Sequence, residues 1–284
     1  MVELVESIEG VRRVVTVARQ AGLRIGLVPT MGALHDGHVR LIERCRAESG
    51  SVIVSIFVNP TQFGPHEDFA RYPRTLDEDG ARCGAAGADL VFAPEAASLY
   101  PHGLRSTFVE VPGLSDVLEG ASRPGHFRGV ATVVLKLFEI VRPDLAVFGQ
   151  KDYQQQLLVR RMVEDLHLPV AILTMPTVRE PDGLALSSRN RYLSPAERRA
   201  ATVLPRALER AEQAVARGER DGNRVRQILR QTIESEELVK LDYAEIADPD
   251  TLEPLEELAP PRQAVALLAA WVGPTRLIDN RLLA

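Results

Sequence analysis

Two histidines stand three residues apart in the stretch Pro29-Thr30-Met31-Gly32-Ala33-Leu34-His35-Asp36-Gly37-His38. Apolar Ile25 to Val28 precedes them, and Leu41, Ile42 and Cys45 form an apolar stripe beyond them. The pattern predicts a strand, a turn and a helix, with both imidazoles on one face of its first turn. A helix start presents unpaired N–H groups and partial positive charge, which suit phosphate. Gly32 and Gly37 let backbone come close to a ligand. His38 shares the stripe of Leu41, Ile42 and Cys45, so it is expected to point inward. Two other readings stand beside phosphate binding. The pair could simply cap the helix, or it could hold zinc, which would want further His, Cys or carboxylate ligands nearby.

Other groups with chemical potential lie far away in sequence. Lys151 sits in Gly149-Gln150-Lys151-Asp152, and Asp152 could either hold that lysine or cap the next helix. Ser187, Ser188 and Arg189 combine hydroxyls with a guanidinium that matches phosphate geometry. A loop there could close over a nucleotide and exclude water. Gln62 and Gln155 can recognise hydroxyl and carboxylate oxygens without adding charge. Arg123, His126 and Arg128 read as part of a loop leading into a buried helix, with no role assigned. Asp77, Glu78 and Asp79 read as a solvated helix face, with magnesium binding the less favoured alternative.

The elements that must position these groups follow from periodicity. Residues 6 to 21 are amphipathic, with Ile8, Val11, Val15 and Ala18 on one side. Ser51 to Val58 is almost continuously apolar and β-branched, the mark of a strand covered on both faces. A helix over 75–86, strands at Leu90-Val91-Phe92 and Thr107 to Val111, and a buried helix from Gly129 to Val141 follow. Leu145 to Phe148 and Val170 to Leu173 are further strands. Alternating strands and helices predict an α/β Rossmann-like, doubly wound parallel sheet. Beyond it, helices over 195–218 and 222–237 and strands at Asp242 to Ile246, Gln263 to Trp271 and Thr275 to Asn280 predict a smaller α+β domain. The expected division is 1–177 and 178–284. The polar clusters Thr30–His38, Asn59–Gln62, Gln150–Gln156 and Val178–Arg189 each follow a predicted strand. In a parallel sheet, such ends line one edge where ligands bind.

Composition removes several alternatives. Hydrophobic content of 45% and charged content of 26% over 284 residues are ordinary for a globular protein. A net charge of −5 gives no electrostatic case for nucleic acid. Met1 to Glu6 lacks a basic and apolar leader pattern, and no apolar run approaches a membrane span, so a cytoplasmic protein without membrane contact is expected. Cys45 and Cys83 have no metal spacing. Neither G-x-x-x-x-G-K-[ST] nor G-x-G-x-x-G follows the first phosphate-turn strand, which disfavours a P-loop kinase and a dinucleotide dehydrogenase. The remaining donors suit nucleotidyl transfer, in which charge develops on phosphate oxygens and on a pyrophosphate leaving group.

The decamer at 29–38 resembles the HxGH signature of the nucleotidyltransferase superfamily. With N-P-T-Q-F-G-P at 59–65, R-Y-P-R-T at 71–75, R-P-G-H-F-R-G-V at 123–130, G-Q-K-D-Y-Q-Q at 149–155 and S-S-R-N-R-Y-L at 187–193, the chain resembles the pantoate–β-alanine ligase family. The match is strongest from about residue 24 to 195. The resemblance implies that pantoate and ATP form pantoyl adenylate and pyrophosphate, and that β-alanine then gives pantothenate and AMP. It implies Mg²⁺, a homodimer and a C-terminal lid. Carried over by position, Met31 to His38, Gly149 to Asp152, Val178 and Leu186 to Arg189 contact ATP, while Gln62 and Gln155 bind pantoate, Gln62 lying also near β-alanine. His38 would be the proton donor, with His35 and Lys151 beside it in catalysis. No metal ligand follows from the motifs. Leu186 replaces a methionine usual in the family, and His66 an asparagine. Another nucleotidyltransferase, an aminoacyl-tRNA synthetase and a non-catalytic nucleotide binder are the competing readings.

Overall fold

The computed structural model describes residues 2–65, 67, 69–104, 107–259 and 263–283. His66 lies outside the described residues. Contacts divide the chain into two compact units, residues 1–149 with 154–176, and residues 150–153 with 177–284. The short turn around Lys151 therefore groups with the second unit.

The first unit is built on β1 (Glu3–Val5), α1 (Ile8–Gln20), β2 (Ile25–Thr30), α2 (Asp36–Glu48), β3 (Ser51–Ile56), α3 (Leu76–Ala85) and β4 (Leu90–Phe92). It continues through α4 (Ala96–Leu99), α5 (Glu119–Ser122), α6 (His126–Val141), β5 (Leu145–Gly149), α7 (Tyr153–Asp165) and β6 (Ala171–Met175). The six strands are parallel, in the order β1-β4-β3-β2-β5-β6. From β2 the chain winds outward through β3 and β4 on one side, and β5 and β6 extend the other. The switch therefore lies between the ends of β2 and β5, at Thr30 and Gly149. Val52, Ile53 and Val54 on β3 and Leu145, Ala146 and Val147 on β5 are fully buried, as a doubly covered sheet requires.

The second unit contains α8 (Pro195–Ala201), α9 (Val203–Ala216), α10 (Gly222–Glu234) and an antiparallel sheet β7-β8-β9 (Val239–Ala247, Ala264–Val272, Thr275–Leu283). Its core joins Leu204, Leu208 and Leu229 of the helices to Ile246 and Leu268 of the sheet. The predicted single helix over 195–218 is interrupted at Thr202, which ends α8 with a hydroxyl bonded to the Arg199 carbonyl.

Two further expectations are corrected. Thr107 to Val111 is not a strand; Val109 N–H donates to the Thr132 side chain instead of a neighbouring strand. The helix expected from Gly129 begins at His126, so Arg128 lies in its first turn. The sheet also gains β1, too short to show a period.

Candidate active site

The histidine turn begins where β2 ends. Gly32 (φ 79°) and Ala33 (φ 51°) are both left-handed, and the bend turns the chain into α2. An L-residue held there costs about 1–3 kcal/mol, so something must fix it. Asp79 does so. Its carboxylate accepts the N–H of Ala33 at 2.9 Å and of Leu34 at 2.7 Å, and the Thr75 hydroxyl at 3.1 Å. Asp79 is 2% exposed. The solvated face expected for Asp77 to Asp79 is thus wrong for Asp79, which α3 turns inward under the loop. Gly32 is needed twice over, because an added Cβ would come within 2.9 Å of the Asp79 carboxylate.

The helix start is closed by the histidines themselves. Gly37 N–H donates to His35 Nδ1 at 3.2 Å, and His35 N–H donates to His38 Nδ1 at 3.3 Å. This is a reciprocal capping box built from two imidazoles. The rings lie 4.1 Å apart between centroids, tilted by 35°. A ring nitrogen that accepts carries no proton, so each neutral imidazole bears its N–H at Nε2. The N–H groups of Gly32, Ala33, Leu34, His35, Gly37 and His38 all have acceptors within the turn or on Asp79. The expected row of free backbone donors is therefore not what the turn offers at these positions. The two Nε2 atoms are its donors, aided by the positive end of α2.

Gln62 leaves the neighbouring strand β3 through the turn at Pro60–Gln62. Phe57 N–H donates to the Thr30 carbonyl, which keeps this turn beside the histidine turn. Gln62 is buried, its Nε2 donating to the Met31 sulfur at 2.9 Å and its Oε1 accepting from Asn59 Nδ2 at 3.2 Å. Asn59 is fixed in turn by the Tyr100 hydroxyl at 2.8 Å and by the Gly129 carbonyl at 3.1 Å. Among the adjacent glutamines on α7, Gln154 donates to the Leu114 and Val117 carbonyls and Gln156 accepts from Thr174, whereas Gln155 is half-buried.

In the second unit, Lys151 Nζ lies 3.5 Å from Asp152 Oδ1, an ion pair between neighbours in sequence. The turn carrying Lys151 is fixed from β9, where Asn280 Nδ2 donates to the carbonyls of Gln150 and Lys151 at 2.9 and 2.8 Å. Asn280 is 2% exposed, and no local feature of the sequence marked it. Leu186 N–H donates to the Val178 carbonyl, closing a narrow loop ahead of Ser187. Ser187 then caps a short 3-10 turn over Ser188–Tyr192 by accepting the Arg189 N–H at 3.3 Å. Arg179 forks onto Asp279 at 2.7 and 2.9 Å, and Asn190 Nδ2 donates to Glu180 at 2.7 Å. Val178, Leu186, Ser187, Ser188 and Arg189 thus sit on one braced loop.

The cysteines take no part. Cys45 and Cys83 are buried and unpaired, and burial raises their pKa values to about 11 and about 12, so neither supplies a thiolate. Among the described residues no group of three or more His, Cys, Asp and Glu could hold a metal ion, which leaves the histidine pair without a zinc shell. No helix among them is long and apolar enough to cross a membrane.

A family profile described as pantoate–β-alanine ligase matches residues 3–282. The pantothenate synthetase of Moorella thermoacetica is 56% identical over 278 residues, covering 98% of this chain and 97% of the relative. A crystal structure of pantothenate synthetase from Thermus thermophilus superposes with a TM-score of 0.90 at 45% identity, covering 98% of each chain. The ligase from Francisella tularensis, described as complexed with beta-gamma ATP and β-alanine, has a TM-score of 0.81 at 34% identity, over 99% of this chain and 98% of that one. With the profile matching nearly end to end and relatives above half identity along the whole length, the chain belongs to the pantoate–β-alanine ligase family.

Proposed function

We propose that this ligase couples pantoate to β-alanine through pantoyl adenylate. A pantoate carboxylate oxygen attacks the α-phosphorus of ATP, and the bond to the β-phosphate oxygen breaks, releasing pyrophosphate. The amine of β-alanine then attacks the acyl carbon, loses a proton, and AMP leaves with the original carboxylate oxygen. The observation that carries this reading is the locked histidine pair, whose Nε2–H groups are fixed donors at a helix start. Donors that need no reorganisation stabilise charge gathering on phosphate oxygens. His38 is assigned as the proton donor and His35 as a phosphate contact, with Lys151, Ser187, Ser188 and Arg189 assigned to the same nucleotide. Met31 to Leu34, Asp36, Gly37, Gly149, Gln150, Asp152, Val178 and Leu186 are assigned to its remaining contacts.

Gln62 and Gln155 are assigned to pantoate. The Gln62 amide donates to a thioether sulfur, a weak acceptor, so exchanging that partner for a carboxylate or hydroxyl oxygen costs little. Mg²⁺ belongs to the reading as a companion of ATP. The chain presents no cage for it among the described residues, and magnesium is commonly carried by phosphates and water with one or two carboxylates. A homodimer working in the cytoplasm completes the proposal. Two unpaired cysteines fit a reducing compartment, and exposed Leu104 and Phe108 are surface that an interface would bury. Sedimentation equilibrium decides the dimer.

Heavy-oxygen labelling tests the route. Pantoate labelled in its carboxylate is expected to leave one label in AMP. Label appearing in inorganic phosphate, as from an acyl phosphate, contradicts it.

A further inference from the structure

The turn that carries Gln62 is gripped from α6 in a way the reaction alone does not explain. His126, 8% exposed, places Nδ1 2.8 Å from the Gln62 backbone carbonyl. Its other nitrogen, Nε2, lies 3.1 Å from Arg123 Nη1. A guanidinium has only donors, so Nε2 accepts and the imidazole proton sits on Nδ1, aimed at the carbonyl. Arg123 is itself fixed by a bidentate pair with Glu67, at 2.8 and 2.6 Å. One helical turn along, Gly129 lets α6 touch the same turn; an added Cβ would stand 2.5 Å from the Thr61 carbonyl oxygen and 2.7 Å from the Gln62 nitrogen.

We infer that His126 is a positioning residue for acid recognition: as a neutral imidazole with its proton on Nδ1, locked by Arg123 and Glu67, it fixes the Gln62 backbone so that the side-chain amide meets pantoate. The inference rests on the assignment of Gln62 to pantoate. It also gives the Arg-Pro-Gly-His segment at 123–126 a task, with the side chain of His126 contacting backbone and not substrate. Burial and the adjacent Arg123 lower the His126 pKa to about 4, in keeping with an imidazole that stays neutral through the physiological range.

Steady-state kinetics on four forms test this. Replacing His126 by leucine (His126→Leu) removes the donor and is expected to raise the pantoate KM by ~10- to 10²-fold, the scale on which small misplacements act, with the ATP KM little changed. His126→Asn, whose side-chain N–H occupies the place of Nδ1–H, is expected to restore most of the loss. A general packing role would instead move both KM values and show no rescue. Gln62→Ala is the reference. If it leaves the pantoate KM unchanged, the assignment of Gln62 falls and the inference with it. If Gln62→Ala raises that KM and His126→Leu does not, the inference alone falls. The wild-type enzyme supplies a measurement independent of folding. Long-range proton–nitrogen NMR is expected to show His126 as the neutral Nδ1–H tautomer from pH about 5 to about 8; an Nε2–H or doubly protonated ring overturns the inference.

Discussion

The backbone N–H of His35 donates to Nδ1 of His38 at 3.3 Å, so an imidazole does at the start of α2 what a glutamate does in an ordinary capping box. The proposed phosphate donation would join capping in the same two rings, and substitutions can separate the two tasks. His38→Ala is expected to lower turnover by ~10²–10⁴-fold, the range for a lost acid–base group or donor. His35→Asn keeps an N-cap and removes the Nε2 donor. Its thermal midpoint should stay close to wild type while kcat/KM for ATP falls; the two are read by calorimetry and by initial rates.

Asp79 holds the bend that presents those rings. Asp79→Ala leaves the N–H groups of Ala33 and Leu34 without their acceptor in a buried place, at about 1–3 kcal/mol. Denaturant unfolding should register that loss, and the ATP KM should rise because the left-handed turn relaxes. An unchanged ATP KM in a folded Asp79→Ala protein would separate Asp79 from the nucleotide.

Lys151 and Asn280 should behave as a group and its support. Lys151→Met is expected to reduce the rate of adenylation sharply. Asn280→Ala should reduce it less, because it removes only the two side-chain donors that hold the Gln150 and Lys151 carbonyls. Single-turnover pyrophosphate release measures adenylation in both variants.

Acid should destabilise the first unit through His126. Its ordinary pKa is 6.5, and folding lowers it to about 4, first through burial and then through Arg123, while the Gln62 carbonyl, Glu67 and Glu119 favour the charge. The unfolded chain therefore binds a proton that the folded chain refuses between these values. The stability at stake is complete above pH about 6.5 and is lost as the pH falls toward about 4, on the order of 3 kcal/mol. His126→Asn should flatten that part of the stability curve, and urea midpoints measured across this window test it.

Strands β3 and β5 were plain in the sequence because doubly buried strands carry nearly continuous apolar runs. The histidine turn was plain because glycines and histidines cluster between such a strand and an amphipathic stripe. Asp79 was not, since an acid in the first turn of a helix normally faces water, and what turns it inward is the need of Ala33 and Leu34, some 46 residues earlier. Asn280 is 130 residues from the turn it supports, beyond any local pattern. Thr107 to Val111 alternates like a strand, yet a side chain of α6 supplies the partner of Val109. His126 looked like a loop residue because Gly125 and Gly129 obscure the start of α6. Periodicity reports which face is apolar, and these errors all concern polar groups paired across the fold.

Isotope exchange between pyrophosphate and ATP in the absence of β-alanine isolates formation of the adenylate. Exchange is expected to require pantoate and largely to disappear in His38→Ala, with AMP accumulating only once β-alanine is added. No exchange with pantoate alone, together with normal pantothenate synthesis when all three substrates are present, would contradict the adenylate route.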